Sequence, residues 1–461
     1  MTDPGRTNSS RIGPARVAAF RTLREVAGGQ AQPGTVLARE RAALTDERDR
    51  ALATEIVIGT LRWQRALDTV IEQAAGRAVT SLDGDVLLIL RLSLYQLLHL
   101  DRVPAAAVVD DAVNLTRAAR QTRAAGFVNA VLRTLSRQRA HLGLPPRPAA
   151  PVSSDAALGY LGLAQSHPDW LVARWLDRYG FDAAAAWVEF NNATPVLTIR
   201  ANRLATTREA LQQRLLDEGI DTAPTPHAPD GLLVLGGRLP DMRGDFRGLF
   251  TIQDEASQLV TRVVGAQPGE TVLDLCASPG GKATDIAAAM NGTGLVVACD
   301  ARPRRMRLLA AAVRDSGAPN IRLVQVGSRD DVPFAAAFDR ILVDAPCSGL
   351  GTVRRDPDIR WRRSEAQLAE FGAAQRTLLH RAAAGLKHGG RLVYATCSSE
   401  PEENEHVVDA FLADHPGFAL EDVRTVDPAV LGPVADARGL LRTLPFAHGL
   451  EAFFAAALRS Q

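Results

Sequence analysis

The first third of the chain is written in a helical period. Between Arg11 and Ala140 apolar residues recur three and four positions apart with almost no β-branched alternation, as in helices that each bury one face. RALATEIVIGTLRW, ending at Trp63, predicts one such helix. VLLILRLSLYQLLHL, Val86 to Leu100, is apolar on nearly every side and predicts a central helix of a bundle. Pro104 opens the next, because a missing N–H costs nothing in a first turn, and GFVNAVLR, Gly126 to Arg133, begins the last. The expectation is an all-α domain over residues 11–141, preceded by a polar tail, residues 1–10, that reads as disordered. The aperiodic, Pro-rich LGLPPRPAAPVSS reads as a linker over residues 142–154.

Beyond the linker the period changes. Residues 155–254 mix a helix, WLVARWLDRYG from Trp170 to Gly180, with the strand-like VLTIRAN and LLVL, which predicts a small α+β subdomain. Residues 255–461 then alternate: VLDLC, a helix from Lys282, LVVACD, a helix from Pro303, IRLVQV, ILVDAP, a helix near Gln367 to Leu386, and RLVYATC. That rhythm predicts an α/β, Rossmann-like domain on a parallel doubly wound sheet, which binds its ligands beyond the carboxyl ends of the strands.

Composition narrows the class. A length of 461 residues suits two or three domains, and 46% hydrophobic with 23% charged residues is ordinary for a globular protein. No apolar run approaches a bilayer span and the start of the chain has no apolar leader, so the expectation is a cytoplasmic protein without a membrane partner, a monomer by default. The net charge of +1 hides an asymmetry: residues 1–150 carry 21 Arg against 14 Asp and Glu. Within them Arg117, Arg120, Arg123, Arg133, Arg137 and Arg139 share an acid-free stretch, suited to phosphate oxygens or simply to a solvated helix face.

The candidate chemistry lies at the strand ends. Four cysteines, Cys276, Cys299, Cys347 and Cys397, each close a strand-like run, and with no Cys-x-x-Cys pair or histidine cluster they point away from metal and disulfides. Cys299 reads as a small buried hydrophobe. After VLDLC comes a Gly-rich turn into a helix, Cys276, Ala277, Ser278, Pro279, Gly280, Gly281 and Lys282, which lacks the G-x-G-x-x-G of a pyrophosphate loop. Its two glycines allow close backbone approach to a ligand. Asp300 closes the next strand, about 20 residues on, where an acid meets ribose hydroxyls. A nucleoside without phosphates fits, and S-adenosylmethionine is one. Asp344, Pro346 and Cys347 arrive at the same edge as Thr396, Cys397 and Ser398. Thiolate addition to carbon 6 of a cytosine would make carbon 5 a nucleophile, an acid such as Asp344 at N3 would promote that addition, and a second thiol would help release.

DLCASPGGK, VDAPCSGLG and YATCS followed by PEEN resemble the signature set of the NOL1/NOP2/Sun family of RNA cytosine-C5 methyltransferases, in the family's order and spacing. DRALATEIVIGTLR, VPAAAVVDDAVNL and GFVNAVLR resemble a NusB-type RNA-binding domain, and SHPDWLVARWLDRYG and GLFTIQDEASQLV extend the likeness over nearly the whole chain. The resemblance implies S-adenosylmethionine bound by Cys276 to Lys282 with Asp300 on the ribose, Asp344 facing both cofactor and base, Cys397 as nucleophile, and small-subunit (16S) ribosomal RNA as partner. Two departures stand out. Gly327, Ser328 and Arg329 replace a usual Asp-Gly-Arg or Asp-Ala-Arg, leaving Asp330 or Asp331 as substitutes for the acid at the adenine amine. LEAFF, Leu450 to Phe454, replaces a common Asp-Gly-Phe-Phe, a change expected to lie away from the chemistry. Two rivals remain: a DNA cytosine methyltransferase with Cys347 as nucleophile, and a NusB-like RNA-binding factor whose methyltransferase domain is vestigial.

Overall fold

Acids placed just ahead of the apolar runs fix where helices begin. Asp46 accepts from Arg48 N, and Asp83 from Asp85 N and Val86 N, each satisfying amides that the first turn leaves free. The computed structural model describes residues 12–29, 31–139, 142–240, 244–327 and 333–461; the tail read as disordered lies outside them. The chain forms two compact units, Met1–Asn192 with Asp356–Arg362, and Ala193–Arg355 with Arg363–Gln461.

The first unit is helical: α1 (Pro14–Ala27), α2 (Pro33–Ala42), α3 (Glu47–Arg62), α4 (Gln64–Ala75), α5 (Gly84–His99), α6 (Ala105–Ala118) and α7 (Ala125–Gln138). As its pattern predicts, α5 is the buried centre, with Ile89, Leu90, Leu92 and Leu94 inaccessible. Pro104 caps α6 from outside it. All six arginines of the acid-free stretch are exposed. Helix α3 passes α5 at Gly59, where an added Cβ would fall 1.8 Å from the Tyr95 ring, whose hydroxyl donates to Glu55 at 2.5 Å. Gly59→Ala is therefore expected to lower the melting temperature, because overpacking of about 1–3 kcal/mol outweighs the ~1 kcal/mol that alanine gains as a helix former. Thermal unfolding by circular dichroism checks it.

Helices α8 (Ser154–Leu158) and α9 (Asp169–Asn192) belong to this unit as well. Gly180, at φ 76°, breaks α9 where the sequence ends its helix, but a second stretch continues, and Trp175 and Trp187 stack across the break at 4.7 Å. Arg65 N donates to Ser166 Oγ and the Arg65 guanidinium pairs with Asp169 at 2.6 Å, tying α9 to α4. Of the stretch 155–254, residues up to Asn192 group with the first unit and those from Ala193 with the second. Periodicity says that a helix buries a face and not which neighbour covers it. Asp356–Arg362 returns to the same unit: Trp361 Nε1 donates to Leu61 O at 2.8 Å, and the buried Arg360 donates to Ser166 O at 2.9 Å.

The second unit begins with an antiparallel sheet in the order β2–β3–β1–β4, from β1 (Leu197–Ala201), β2 (Asp221–Pro224), β3 (Gly231–Gly236) and β4 (Phe250–Ile252), with α10 (Arg208–Asp217) packed on it through Leu211 and Leu215. The larger sheet comprises β5 (Thr271–Asp274), β6 (Leu295–Asp300), β7 (Ile321–Gln325), β8 (Phe338–Asp344), β9 (Leu386–Thr396), β10 (Phe418–Glu421), β11 (Leu441–Arg442) and β12 (Phe454–Ser460). Its order is β10–β12–β9–β8–β5–β6–β7, with β11 beside β12; β5 to β9 are parallel, and β10 and β12 are added antiparallel. Alternate residues serve opposite faces. Val272, Leu342 and Val393 pack in one apolar layer with α11 (Glu255–Val264) and α12 (Gly281–Ala289); Leu273, Ile341 and Leu392 pack in another with the helices Ala366–Ala383 and Glu405–Asp414. Strand order reverses between β5 and β8, so the loops leaving these neighbours flank one crevice. Among the described residues no helix is long and apolar enough to cross a membrane.

Candidate active site

The loop after β5 enters α12 through Gly280 at φ +117°, a conformation that a side chain would strain, and a Cβ there would meet Ala312 Cβ at 2.9 Å. Gly281 has no such need: a Cβ on it meets nothing closer than 3.5 Å. Ala277 N donates to Cys299 O at 2.8 Å, and Ser278 O accepts from Arg305 at 2.7 Å, so the loop is pinned to β6 and to α13 (Pro303–Ser316). A cavity of about 370 Å³, within the usual range for small molecules, lies beside it and is lined by Leu275, Cys276, Asp300, Arg305, Gly327 and Pro346 among others. Asp300 closes β6 as expected; it accepts from Arg302 N at 3.1 Å and faces Arg305 Nε at 3.4 Å. Asp330 and Asp331, the suggested substitutes for an acid at Gly327, lie outside the described residues.

Three carboxylates gather here against one ammonium. Lys282 Nζ donates to Asp344 Oδ2 at 2.8 Å; burial opposes its charge, but Asp344, Cys397 and Asp274 together hold its pKa above the ordinary lysine value. Asp274, which the sequence reading passed over as part of a strand, is wholly buried at the end of β5, where the Cys276 backbone amide faces its carboxylate. Burial, and then the charge of Asp344, push it up to about 7. Burial and Asp274 also hold the Cys276 thiol far above its ordinary value, which leaves it unreactive.

Strands β8 and β9 run parallel with Asp344 opposite Ala395, so the turns that follow deliver Cys347 and Cys397 to one place, with Sγ atoms 3.3 Å apart. The hydrogen bond to Cys397, then burial, raise Cys347 well above an ordinary thiol. Either sulfur can be the donor in the hydrogen bond that they share. Cys299 stands apart, wholly buried in an apolar layer and pushed up to about 12 by burial, as expected of a packing residue.

One expectation is overturned. The LEAFF segment lies against the chemistry, because Gly351 N donates to Cys397 O at 2.9 Å, Ala452 N donates to Gly351 O at 3.0 Å, and the Phe453 ring is 5.8 Å from Lys282 Nζ. A Cβ on Gly351 would fall 1.9 Å from Ala452 O. The cause is β12, which pairs antiparallel with β9 and so brings the residues before it level with the end of that strand. Arg200 was also missed: buried on β1, it donates to Gly281 O at 2.7 Å and to Thr284 Oγ1 at 3.2 Å, bracing the start of α12. Its signal, an arginine inside the apolar run VLTIRAN, does not reveal its partner.

Comparison with known proteins agrees with this geometry. Residues 261–459 match the family described as 16S rRNA methyltransferase RsmB/F, residues 13–137 match the NusB family, and residues 167–238 match the ferredoxin-like domain of RsmF/B-like methyltransferases. Over 419 residues the chain is 34% identical to the probable ribosomal RNA small subunit methyltransferase B of Bacillus subtilis, covering 90% of this chain and 91% of that one. It belongs to the RsmB/F family. The Pseudomonas putida ribosomal RNA small subunit methyltransferase B is also 34% identical, with 89% and 91% covered. The crystal structure of PH0851 matches with a TM-score of 0.80 at 26% identity, over 98% of this chain and 99% of that one. RsmB/F proteins depend on S-adenosylmethionine, and the site suits it by its own chemistry. The cavity has an acid at the strand end where a ribose is held, and the wholly buried Asp274, next in the chain to its lining residues Leu275 and Cys276, adds negative charge that suits a cationic ligand.

Proposed function

We propose that this chain transfers a methyl group from S-adenosylmethionine to carbon 5 of a cytosine in RNA, with small-subunit (16S) ribosomal RNA as substrate and Cys397 as nucleophile. The observation that carries the reading is the 3.3 Å approach of the Cys397 and Cys347 sulfurs, on strands whose ends also hold the Lys282–Asp344 pair. The relatives named as ribosomal RNA small subunit methyltransferases support the RNA class, and the exposed Arg117 to Arg139 row suits its phosphates.

Residues Cys276 to Lys282 and Asp300 would hold the cofactor, with Asp344 at the boundary between cofactor and base. When bound, S-adenosylmethionine supplies an electrophilic methyl group on its sulfonium. Cys397 sulfur forms a bond to carbon 6, and the electron pair of the 5,6 double bond makes carbon 5 nucleophilic. Asp344, oriented by Lys282, takes the position at N3, where a proton shared between its carboxyl group and N3 draws electrons from the ring and promotes the addition. After loss of the carbon-5 proton to a base, the sulfur–carbon bond breaks and the Cys347 thiol, 3.3 Å away, assists the departing Cys397.

Bisulfite sequencing of 16S ribosomal RNA from cells with and without the gene tests this reading. A single cytosine is expected to resist deamination only when the gene is present, and purified protein with labelled S-adenosylmethionine should restore that resistance. Label on a ribose, on an exocyclic amine or on no RNA at all would overturn it. Calorimetry addresses the binding-factor alternative, which requires that S-adenosylmethionine not bind.

A further inference from the structure

Both thiols are followed by a serine, and both serines meet one carboxylate. Glu403, in the turn after β9, is wholly buried. Its Oε1 accepts from Ser348 N at 2.7 Å and from Gln375 Nε2 at 3.0 Å, and its Oε2 accepts from Ser348 Oγ and Ser398 Oγ, each at 2.5 Å. The four acceptor positions of an ionised carboxylate are thereby filled, all by neutral donors. The two serine hydroxyls also lie 3.2 Å from each other. Tyr394 OH donates to the Glu403 carbonyl, and Asn404 accepts from Thr396 Oγ1 while donating to Ser398 O, so the turn carrying Glu403 is itself fastened to β9 and its exit.

We propose that Glu403 is a positioning residue for the reaction: by bonding the residue that follows each thiol, it sets the separation of Cys347 and Cys397. The kinetic side of this rests on the function proposed above, and the geometric side does not. Ser348 and Ser398 lie 50 positions apart and on separate strand exits, so no local turn fixes the distance between them. A buried carboxylate is needed because every group it meets presents a hydrogen. An amide would turn two N–H bonds toward that set, keeping the volume while weakening the clamp. Glu403 also adds negative charge beside Cys347, which helps that thiol keep its proton.

The test uses the full chain with Glu403→Gln, Ser398→Ala and their combination. Methylation of RNA by Glu403→Gln is expected to lose roughly 10- to 100-fold in kcat, the weight of charge-assisted hydrogen bonds, while RNA KM and calorimetric cofactor affinity stay near wild type and the melting temperature falls as the buried donors lose their acceptor. Adding Ser398→Ala to Glu403→Gln should cost little more, since both changes break the same link. Independently of any RNA chemistry, carboxamidomethylation of Cys347 by iodoacetamide, followed by mass spectrometry, should shift to lower pH in Glu403→Gln. If Glu403→Gln fails to fold, Ser348→Ala and Ser398→Ala, which keep the carboxylate and remove one arm each, should each lower kcat without lowering cofactor affinity. Unchanged kcat, additive losses in the double variant, or loss of cofactor affinity in step with kcat would overturn the positioning role. Should wild type prove not to methylate cytosine, the sulfur separation itself decides: oxidant-driven Cys347–Cys397 disulfide formation, read by mass spectrometry, should change rate in both Glu403→Gln and Ser398→Ala, and an unchanged rate in both sinks the clamp.

Discussion

Cys397→Ala is expected to abolish both methyl transfer and covalent capture of RNA, whereas Cys347→Ala is expected to capture RNA and hold it. The two sulfurs are 3.3 Å apart, so position alone does not divide their roles. Their surroundings do: the Lys282 ammonium interacts with Cys397, whereas the hydrogen bond to Cys397, burial and the Glu403 carboxylate all disfavour charge on Cys347. Without Cys397 no sulfur remains suited to attack carbon 6. Without Cys347 attack still occurs, but the departing sulfur has lost its partner, so the adduct should persist as a species that survives denaturing electrophoresis. Labelled RNA mixed with each variant and S-adenosylmethionine reads both outcomes on one gel. The opposite pattern, with adduct trapped in Cys397→Ala, would make Cys347 the nucleophile and favour the DNA-type chemistry.

The pair was legible in the sequence because parallel strands with short apolar runs all deliver their exits to one edge. ILVDAPC and LVYATC needed only that rule to be placed together, and the register of Asp344 opposite Ala395 obeys it. What the sequence left dark depends on contacts between distant positions. The Arg200 to Gly281 bond spans 81 residues, and the serine–Glu403 links span 55 and 5, so only the second of those lay within reach of a local pattern. The PEEN that contains Glu403 was visible as a motif without a task. LEAFF was misplaced for a related reason: β12 is antiparallel in a sheet whose rhythm is parallel, and nothing in an alternating apolar run states its direction. In the same way the return of Asp356–Arg362 to the helical unit depends on Trp361 and Arg360 finding Leu61 and Ser166, about 300 and 194 positions away.

Asp274→Asn is expected to move stability and cofactor affinity in opposite directions. This carboxylate is wholly buried, and burial with the charge of Asp344 raises it from 3.8 to about 7. A raised folded-state value means that the folded chain binds more protons than the unfolded one between those limits. The contribution of this group to stability is therefore fully present below about pH 4 and is lost as pH rises toward 7, by up to ~1.4 kcal/mol per pH unit inside the window. Asparagine removes this slope, so the variant should melt higher than wild type at pH 8 and converge with it near pH 4. A residual slope should remain from Glu451, also raised to about 7, by burial and then by Asp254. Cofactor binding reverses the preference, since a sulfonium and an ammonium favour the ionised acid. Wild-type affinity should climb with pH up to about 7 and level off, while Asp274→Asn should bind roughly 10- to 100-fold more weakly at pH 8 with a flatter profile, the scale of one charge-assisted contact. Calorimetry from pH 5.5 to 8.5 measures both curves. Equal affinity at pH 8, or parallel pH profiles, would mean that Asp274 carries no share of the cofactor's charge and that its burial is structural.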